Sequence, residues 1–546
     1  MRPALLLAAL SLGLAPVAAL AQSASDEPAF KPEEVRAHIE FLADDALEGR
    51  DAGTRGYTIA ARYVASRFRA LGLQPGGPDG SWYQQVPLAE YALDASKPAT
   101  LTIGGKSFAN GTDILMGGTP RGGGGTQTLT ANAVFVGYGL DAPKLGHDDY
   151  AGVDVAGKFA VMLMALPTGL PDAPALMNKR GDIAAAHGAI GVIYLVGDGE
   201  QTKAFPWTAA NGYYARPQTS WLTPEGTPPG IDPRIQIGFY ANDKVARALF
   251  AGSPIDPDTM FSAAKRNDAL PHSAPLAARL TAARTSKVKW MTSPNVMGLL
   301  PGSDPALSRE VVLLTAHLDH EGLNPELKGD QIYNGAMDNA AGTAAMLEAA
   351  RGFAQSGRRP KRSILFVSLT AEEDGLLGSD YLAHYPVAAD GKVVADVNLD
   401  MPILLYDFQD VVAFGAEHST LGPIVERAAA KMGVALSPDP MPEEQLFVRS
   451  DHYSFVKAGV PSVFLVTGFR NGGEKAFRDF LKTHYHKVSD QADLPFDWAA
   501  GAKFARINYL IAREIADAPE APRWYAGNAF GDRFAPDASK APRPAK

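Results

Sequence analysis

Residue types that bind metal ions or transfer protons recur in the segment 311–400, each shortly after an apolar run. The runs and the residues that follow them are 311–316 with His317 and Asp319, 363–370 with Glu372 and Glu373, and 393–399 with Asp400. Short apolar runs that alternate with helical segments are typical of parallel strands buried on both faces. Ligands of such sheets collect at the carboxyl ends of the strands. We therefore expect these side chains to meet at one edge of a sheet.

Two further residues complete a candidate set of metal ligands. Asp338 lies in the small-residue segment 334–342, which opens a helix predicted to run to about Ala354, and His486 lies in the polar loop 483–490. The candidate ligands are His317, Asp338, Glu373, Asp400 and His486. Two neutral imidazoles and three carboxylates carry a formal charge of about −3, which suits two divalent cations that share one bridging carboxylate. A nitrogen and oxygen set without sulfur fits zinc, with cobalt or manganese as substitutes.

Each of these residues has an ordinary structural interpretation when it is taken alone. A carboxylate at a strand end often caps the next helix, and a single histidine is more often a satisfied structural residue. We favour metal binding because the residues occur together at strand ends and helix starts, an arrangement that chance supplies rarely.

Competing motifs are less complete. His320-Glu321 opens like a zincin helix, but the second histidine of that motif is missing. Ser450, Asp451 and His452 have the residue types of a serine hydrolase triad, but there is no Gly-x-Ser-x-Gly turn and adjacent residues cannot form a triad directly. We expect Asp451 and His452 to be structural or to line the site wall.

Composition and length describe an ordinary globular protein of more than one domain. Of the 546 residues, 46% are hydrophobic and 20% are charged, as in ordinary soluble proteins. The chain is longer than a domain built around a single hydrophobic core. The net charge of −9 argues against a general nucleic-acid binder. The chain has no cysteine, which excludes disulfides and thiolate ligands.

The domain organisation is predicted from changes in composition along the chain. The predicted segments are 1–21 as a signal peptide, 22–125 and 288–520 as two parts of a main domain, 126–287 as a smaller inserted mixed α/β unit, and 521–546 as a C-terminal tail. The first segment has a basic start, an apolar run at 4–17 and a small-residue cleavage site ending at Ala21. It predicts a secreted or periplasmic protein without an integral membrane segment after signal removal. Trp524, Tyr525 and Phe530 are candidates for docking the tail on the body.

The motifs together resemble the co-catalytic di-zinc aminopeptidase family, which includes bacterial leucyl aminopeptidases, glutamate carboxypeptidase and the transferrin receptor. The motifs are His317-x-Asp319, Gly335-Ala-Met-Asp338-Asn-Ala-Ala-Gly342, Glu372-Glu373, Asn398-Leu-Asp400, Arg449-Ser-Asp451-His452 and Tyr485-His486. Segments 41–50 and 72–75 look like the N-terminal region of that family, and the inserted unit looks like its protease-associated domain. The resemblance implies an α/β fold: a zinc-exopeptidase domain with a mostly parallel central sheet flanked by helices, plus the smaller inserted protease-associated domain.

The resemblance also implies a role for each candidate residue and two zinc ions per chain. In that family pattern, Asp338 bridges the zinc ions, His317 and Asp400 bind one of them, and Glu373 and His486 bind the other. The remaining implied roles are Glu372 as general base, Asp319 as the residue that orients His317, and Tyr485 as a hydrogen-bond donor to the developing oxyanion.

We therefore expect a secreted or periplasmic metal-dependent exopeptidase, an aminopeptidase acting on peptide substrates. A carboxypeptidase acting on acidic C-terminal residues stays open, as does a non-catalytic receptor or binding protein on the same fold. A glutaminyl cyclase is less favoured, because those relatives generally lack the inserted domain. The sequence leaves open the preferred residue at the cleaved end, the native metal and the oligomeric state.

Overall fold

Four parallel strands form the centre of the sheet that carries the predicted ligands. In spatial order they are Ser363–Leu369, Glu310–His317, Lys392–Leu399 and Ser462–Thr467. Every side chain of Ser363–Leu369 and of Ser462–Thr467 is buried, as expected for strands covered on both faces. The predicted α/β fold with a mostly parallel centre is therefore confirmed.

The coordinates are a computed structural model that describes residues 28–167, 169–170, 173–197, 206–230, 232–387 and 391–544. The predicted signal peptide, residues 1–21, lies outside the described residues. Antiparallel partners extend the central sheet on both sides: Ala274–Leu300 pairs with Ser363–Leu369, and Asp410–Phe414 pairs with Ser462–Thr467. The short strand Ala435–Ser437 pairs in parallel with Asp410–Phe414.

Helices cover the two faces of this sheet, and the strand residues alternate between them. Val312, Leu314, Ile364 and Phe366 belong to the larger core, beneath the helices at 32–42, 55–70, 341–355 and 498–517. Leu313, Leu365 and Val367 face the opposite side and pack with Leu382 and Phe455. The α-helices of the described residues are Pro32–Leu42, Arg55–Ala70, Ala173–Ala186, Trp207–Ala215, Asp243–Leu249, Pro257–Arg266, Ala341–Gln355, Leu377–His384, Leu421–Ala430, His452–Lys457, Gly473–Thr483, Trp498–Asp517 and Ala529–Phe534. None of these helices combines the length and the apolar character of a membrane span.

The middle of the chain forms a second packing unit with its own hydrophobic core. Leu101, Phe135, Phe159, Ile193 and Phe239 are among the buried residues of that core. The remaining strands, in this unit and beside the main sheet, are Gln74–Pro75, Tyr83–Leu93, Thr100–Ile103, Lys106–Ala109, Ile114–Leu115, Gly125–Phe135, Asp141–Ala142, His147–Asp148, Phe159–Leu163, Gly191–Leu195, Gln218–Trp221, Ile237–Ala241, Gly322–Leu323 and Ile332–Tyr333.

Continuous backbone and one buried aromatic side chain join the two units. The strand Ala274–Leu300 pairs with Gly125–Phe135 in the middle unit and reaches Ser363–Leu369 in the main sheet, so the predicted boundary at 287/288 falls inside a strand. Trp221, from the middle unit, is 2% exposed and donates from Nε1 to Asp380 Oδ2 at 2.8 Å.

The C-terminal segment packs on the main domain through its aromatic residues. Trp524 and Tyr525 are buried, and Trp524 Nε1 donates to the carbonyl oxygen of Gly459 at 2.9 Å. The ring of Phe530 lies 4.9 Å from the ring of Phe447. These contacts agree with the docking expected for the three aromatic residues.

Candidate metal centre

The predicted ligands occupy the carboxyl ends of the parallel strands and the loops beside them. His317 is the last residue of its strand, and Asp400 directly follows another. Asp338 lies in the turn Ala336–Ala340 before the helix Ala341–Gln355, next to a cis peptide bond to Asn339. The strand-end geometry predicted from the sequence is therefore present.

The five predicted ligands converge with Asp338 at their centre. His317 Nε2 lies 3.3 Å from Asp338 Oδ1 and 3.1 Å from Asp400 Oδ1. His486 Nε2 lies 3.3 Å from Asp338 Oδ2 and 3.1 Å from Glu373 Oε2. The two oxygens of Asp338 thus face different histidines, and each histidine has a second carboxylate of its own.

Both histidines are oriented from behind, which fixes the nitrogen that faces the cluster. His317 Nδ1 lies 3.2 Å from the carbonyl oxygen of Asp319, and His486 Nδ1 lies 3.1 Å from Glu321 Oε1. Because these oxygens accept hydrogen bonds, each Nδ1 carries a proton, and Nε2 is the nitrogen that faces the carboxylates. This is how metal-binding histidines are held.

The electrostatics of the cluster favour a bound cation. Burial raises the pKa of Asp338, but hydrogen bonds to His317 and His486 lower it by more than burial raises it, so the net shift of the pKa is downward. Burial lowers the pKa of His486, but hydrogen bonds to Asp338, Glu321 and Glu373 outweigh it and the net shift is upward. Three buried or nearly buried carboxylates facing two imidazole nitrogens form a mixed nitrogen and oxygen donor set that fits zinc.

Several residues that support the ligands were not predicted from the sequence. Ser450 Oγ donates to Asp400 Oδ2 at 2.6 Å, and His320 Nδ1 lies 2.6 Å from Glu373 Oε1. Asp490 accepts hydrogen bonds from the backbone N–H groups of Met337 and Asp338, both at 2.9 Å. The sequence pattern at His320 and Glu321 indicates only an incomplete zincin motif, although their position just after His317 is a signal for a supporting role.

Glu372 and Asp319 lie beside the ligands. Burial raises the pKa of Glu372 well above its usual range, although His317 lowers it. Asp319 contacts His317 through its backbone carbonyl and not through its carboxylate, whose Oδ2 accepts from the N–H of Glu373 at 3.2 Å. Burial raises the pKa of Asp319 to about 8.

The other candidate residues surround the cluster at different depths. The ring of Tyr485 is half-buried and lies 3.9 Å from the ring of His486. His452 is fully buried, with Nε2 2.6 Å from the carbonyl oxygen of Phe447, and burial lowers its pKa to about 3. Asp451 is also fully buried, and burial raises its pKa to about 7.

A buried arginine fastens the loops that carry the ligands. Arg50 is 1% exposed and donates to the carbonyl oxygens of Leu318 at 2.8 Å, Asn334 at 2.5 Å and Gly335 at 3.0 Å, and also to that of Leu42. Leu318 follows His317 in the chain, and Asn334 and Gly335 lie just before Asp338. One side chain thus ties two ligand loops to the N-terminal segment.

The fold and the site are typical of metal-dependent hydrolases, in which a parallel sheet presents histidines and carboxylates at its carboxyl edge. Residues 295–512 match the family model described as Peptidase family M28. The resemblance to the zinc aminopeptidase family that the motifs carry is thereby confirmed.

Individual relatives match shorter parts of the chain. A probable zinc metalloprotease of Pyrenophora tritici-repentis (strain Pt-1C-BFP) is 41% identical over 90 residues, which are 16% of this chain and 20% of that protein. A probable leucine aminopeptidase 2 of Aspergillus oryzae (strain ATCC 42149 / RIB 40) is 29% identical over 190 residues, 34% of this chain and 35% of that protein. The chain therefore spans well under two thirds of the length of these curated relatives.

Several solved structures are similar over most of their length. One of them is an aminopeptidase from Aneurinibacillus sp. strain AM-1, 20% identical, covering 94% of this chain and 98% of that chain with a TM-score of 0.46.

Proposed function

We propose that this chain is an exported zinc aminopeptidase that removes N-terminal residues from peptides and binds two zinc ions. The observation that carries the proposal is the division of the cluster by Asp338. Each of its oxygens faces one histidine, and each histidine is paired with a further carboxylate, Asp400 or Glu373. A single tetrahedral zinc needs fewer donors than these five residues supply.

In the proposed arrangement Asp338 bridges the ions, His317 and Asp400 hold one, and Glu373 and His486 hold the other. Zinc ions bound there would polarise the scissile carbonyl group and lower the pKa of the attacking water.

Glu372 is proposed as the general base. Its carboxyl group follows the strand Ser363–Leu369 beside the ligand Glu373, and burial raises its pKa well above the usual range. A carboxylate with a raised pKa accepts a proton from water more readily and later returns it to the leaving amine. Tyr485, next to His486, is proposed to donate a hydrogen bond to the developing oxyanion.

Charge around the cluster favours an aminopeptidase over a carboxypeptidase. The charged neighbours of Glu372 that raise its pKa are Glu373, Asp400 and Asp451, which suit the cationic α-amine of a peptide. Arg50, a buried cation beside the site, is occupied by four backbone carbonyl oxygens and does not present its guanidinium to a substrate carboxylate.

The inserted unit is proposed to be a protease-associated domain that shapes access to the site. It supplies none of the predicted ligands, and it docks on the main domain through Trp221. Export is proposed from the signal-like segment 1–21.

The decisive experiment compares Glu372→Gln, Glu373→Gln and the exposed control Glu40→Gln in the zinc-loaded full chain. We expect Glu372→Gln to keep about two zinc ions per chain while turnover of a free-amine peptide falls at least ~10²–10⁴-fold. Glu373→Gln should lose or weaken one zinc ion, and Glu40→Gln should match the wild type, because Glu40 pairs with Arg36 on the surface.

The same experiment separates the competing functions. The wild type should cleave free-amine peptides and leave N-acetylated peptides intact. Cleavage of N-acetylated peptides at an acidic C-terminus would indicate a carboxypeptidase instead. A zinc-loaded wild type that cleaves no peptide in a broad panel would indicate a binding protein, and a saturating stoichiometry near one zinc ion would refute the two-ion arrangement.

A further inference from the structure

Behind the ligand Asp400 runs an unbroken chain of buried hydrogen bonds. Ser450 Oγ lies 2.6 Å from Asp400 Oδ2, and Asn398 Nδ2 lies 2.7 Å from Ser450 Oγ. Thr315 Oγ1 then lies 2.9 Å from both Asn398 Oδ1 and Asp396 Oδ1. All five residues are buried, and Asp396, Asn398 and Thr315 are fully so.

Strand geometry explains why these residues meet. Asp396, Asn398 and Asp400 alternate along one strand and its end, so their side chains share one face. Thr315 lies opposite Asn398 on the neighbouring parallel strand. Ser450 lies just before the helix His452–Lys457, and its side chain completes the series of hydrogen bonds between Asn398 and Asp400.

Counting protons fixes the direction of every hydrogen bond. Asp400 as a metal ligand is ionised and only accepts, so Ser450 donates its single proton to it. Ser450 must then accept from the amide nitrogen of Asn398, which leaves the amide oxygen of Asn398 facing Thr315. Thr315 has one proton and gives it to that oxygen. The short contact between Thr315 and Asp396 therefore requires a proton on Asp396.

We propose that Asp396 is a neutral carboxylic acid at the start of a donor relay, a series of hydrogen bonds in which each group donates to the next. Asp396 donates to Thr315, Thr315 to Asn398, Asn398 to Ser450, and Ser450 to the metal ligand Asp400, which the relay thereby positions. The relay occupies Asp400 Oδ2 and leaves Oδ1 directed at His317 and the metal. These four residues are positioning residues, since they act through Asp400. The inference rests on the proposed role of Asp400 as a zinc ligand.

Two independent observations support the neutral form of Asp396. Its Oδ2 has no hydrogen-bond partner among the described residues, which is costly for a buried carboxylate and tolerable for the carbonyl oxygen of an acid. Burial raises the pKa of Asp396 well above its usual range, and the nearby Asp451 raises it further, although the contact with Thr315 lowers it. A charged Asp396 would have to accept the single proton of Thr315, and the amide oxygen of Asn398 would then have no donor from Thr315.

The protonation state is tested by infrared difference spectroscopy of the wild type minus Asp396→Asn at neutral pH. We expect the carbonyl stretch of a protonated carboxylic acid, above the amide I region, to be present in the wild type and lost in the variant. A difference spectrum with carboxylate bands only would show that Asp396 is ionised and would overturn the relay.

The positioning role is tested by zinc affinity, measured by competition with a chelator on the purified full chain. Thr315→Val removes the central hydroxyl without a change in size, and we expect the affinity of one zinc ion to fall roughly 10–100-fold. Thr315→Ser keeps the hydroxyl and should restore the affinity. The control Thr281→Val removes the hydroxyl group of a half-buried threonine that pairs with Thr130 in the middle unit, and it should not change the affinity.

Wild-type affinity in a folded Thr315→Val variant would overturn the positioning role. If that variant does not fold, the infrared comparison with Asp396→Asn still decides the direction of the relay. Neither readout depends on turnover. A chain that binds zinc normally and hydrolyses no peptide would contradict the proposed function, while the relay would still be decided by the acid band and the affinity.

Discussion

Arg50 offers the sharpest test of how the N-terminal segment supports the metal centre, through the substitution Arg50→Met. Methionine fills a similar volume but removes every donor from four buried carbonyl oxygens, three of which belong to Leu318, Asn334 and Gly335 in the ligand loops. A buried hydrogen bond to a charged group contributes about 1.5–3 kcal/mol. Burial also lowers the pKa of Arg50 to about 10, which shows that the guanidinium itself is costly to bury.

The expected loss is therefore smaller than the sum of four such bonds. Removing the charge recovers part of its burial cost, so we expect a net destabilisation of roughly 3–5 kcal/mol, as for the breaking of a buried charged network. With an unfolding entropy of about 2.1 cal/mol/K per residue, 1 kcal/mol moves the melting temperature of a domain as large as the main domain by about 1–2 °C, so Tm should fall by roughly 3–10 °C. Zinc affinity should fall as well, because the freed carbonyl groups adjoin His317 and Asp338.

The assay is thermal unfolding of the zinc-free and zinc-loaded chain together with chelator competition. Arg36→Met is the matched control, since Arg36 is exposed and its pair with Glu40 contributes about 0.5 kcal/mol or less. Arg50→Lys should be intermediate, because a lysine cannot reproduce the planar fork of donors. An Arg50→Met variant with the wild-type Tm and zinc affinity would refute the fastening role.

Two further predictions concern the buried residues outside the metal cluster. Burial lowers the pKa of His452 in the folded state to about 3, against about 6.5 in the unfolded chain. The stability that its neutral form contributes is therefore complete above pH 6.5 and is lost as the pH falls towards 3. His452→Gln should remove roughly 3 kcal/mol of acid destabilisation at pH 4.5, and parallel pH profiles of Tm for the wild type and the variant would contradict this. Trp221→Ala should lower the free energy of unfolding by roughly 3–5 kcal/mol, expose the junction between the two units to proteolysis and change the peptide-length preference. Trp221→Phe should lose mainly the hydrogen bond to Asp380. Unchanged proteolysis and length preference in Trp221→Ala would contradict the proposed role of the inserted unit in access to the site.

The strands of the main sheet could be predicted from sequence because their signal is local. Each of the apolar runs at 311–316, 363–370 and 393–399 is long enough to form a buried strand and too short to form a helix. The structure has the strands Glu310–His317, Ser363–Leu369 and Lys392–Leu399 in those places. The helix predicted to about Ala354 ends at Gln355. Once the strands are parallel, the position of the candidate ligands at one edge follows from chain direction alone.

The join between the two units could not be predicted in the same way. Ala274–Leu300 is 27 residues long and pairs with several strands in turn, so no composition change marks where one unit ends. The docking of Trp221 on Asp380 spans 159 positions of sequence separation. Contacts of this kind depend on tertiary packing, about which local propensity carries no information.

The supporting residues of the metal centre show the same division between local and distant signals. The family resemblance implies that Asp319 orients His317, yet the contact uses the backbone carbonyl of Asp319, which every residue possesses, so the identity of its side chain is no guide to this contact. Its carboxylate instead accepts a hydrogen bond from the N–H of Glu373, which lies in the loop after the strand Ser363–Leu369. The ligands are recognisable because their chemistry restricts each position to a few residue types. The residues that orient them are restricted only by the need for one donor or one acceptor at a given point in space, and a serine such as Ser450 meets that need without any mark in the sequence.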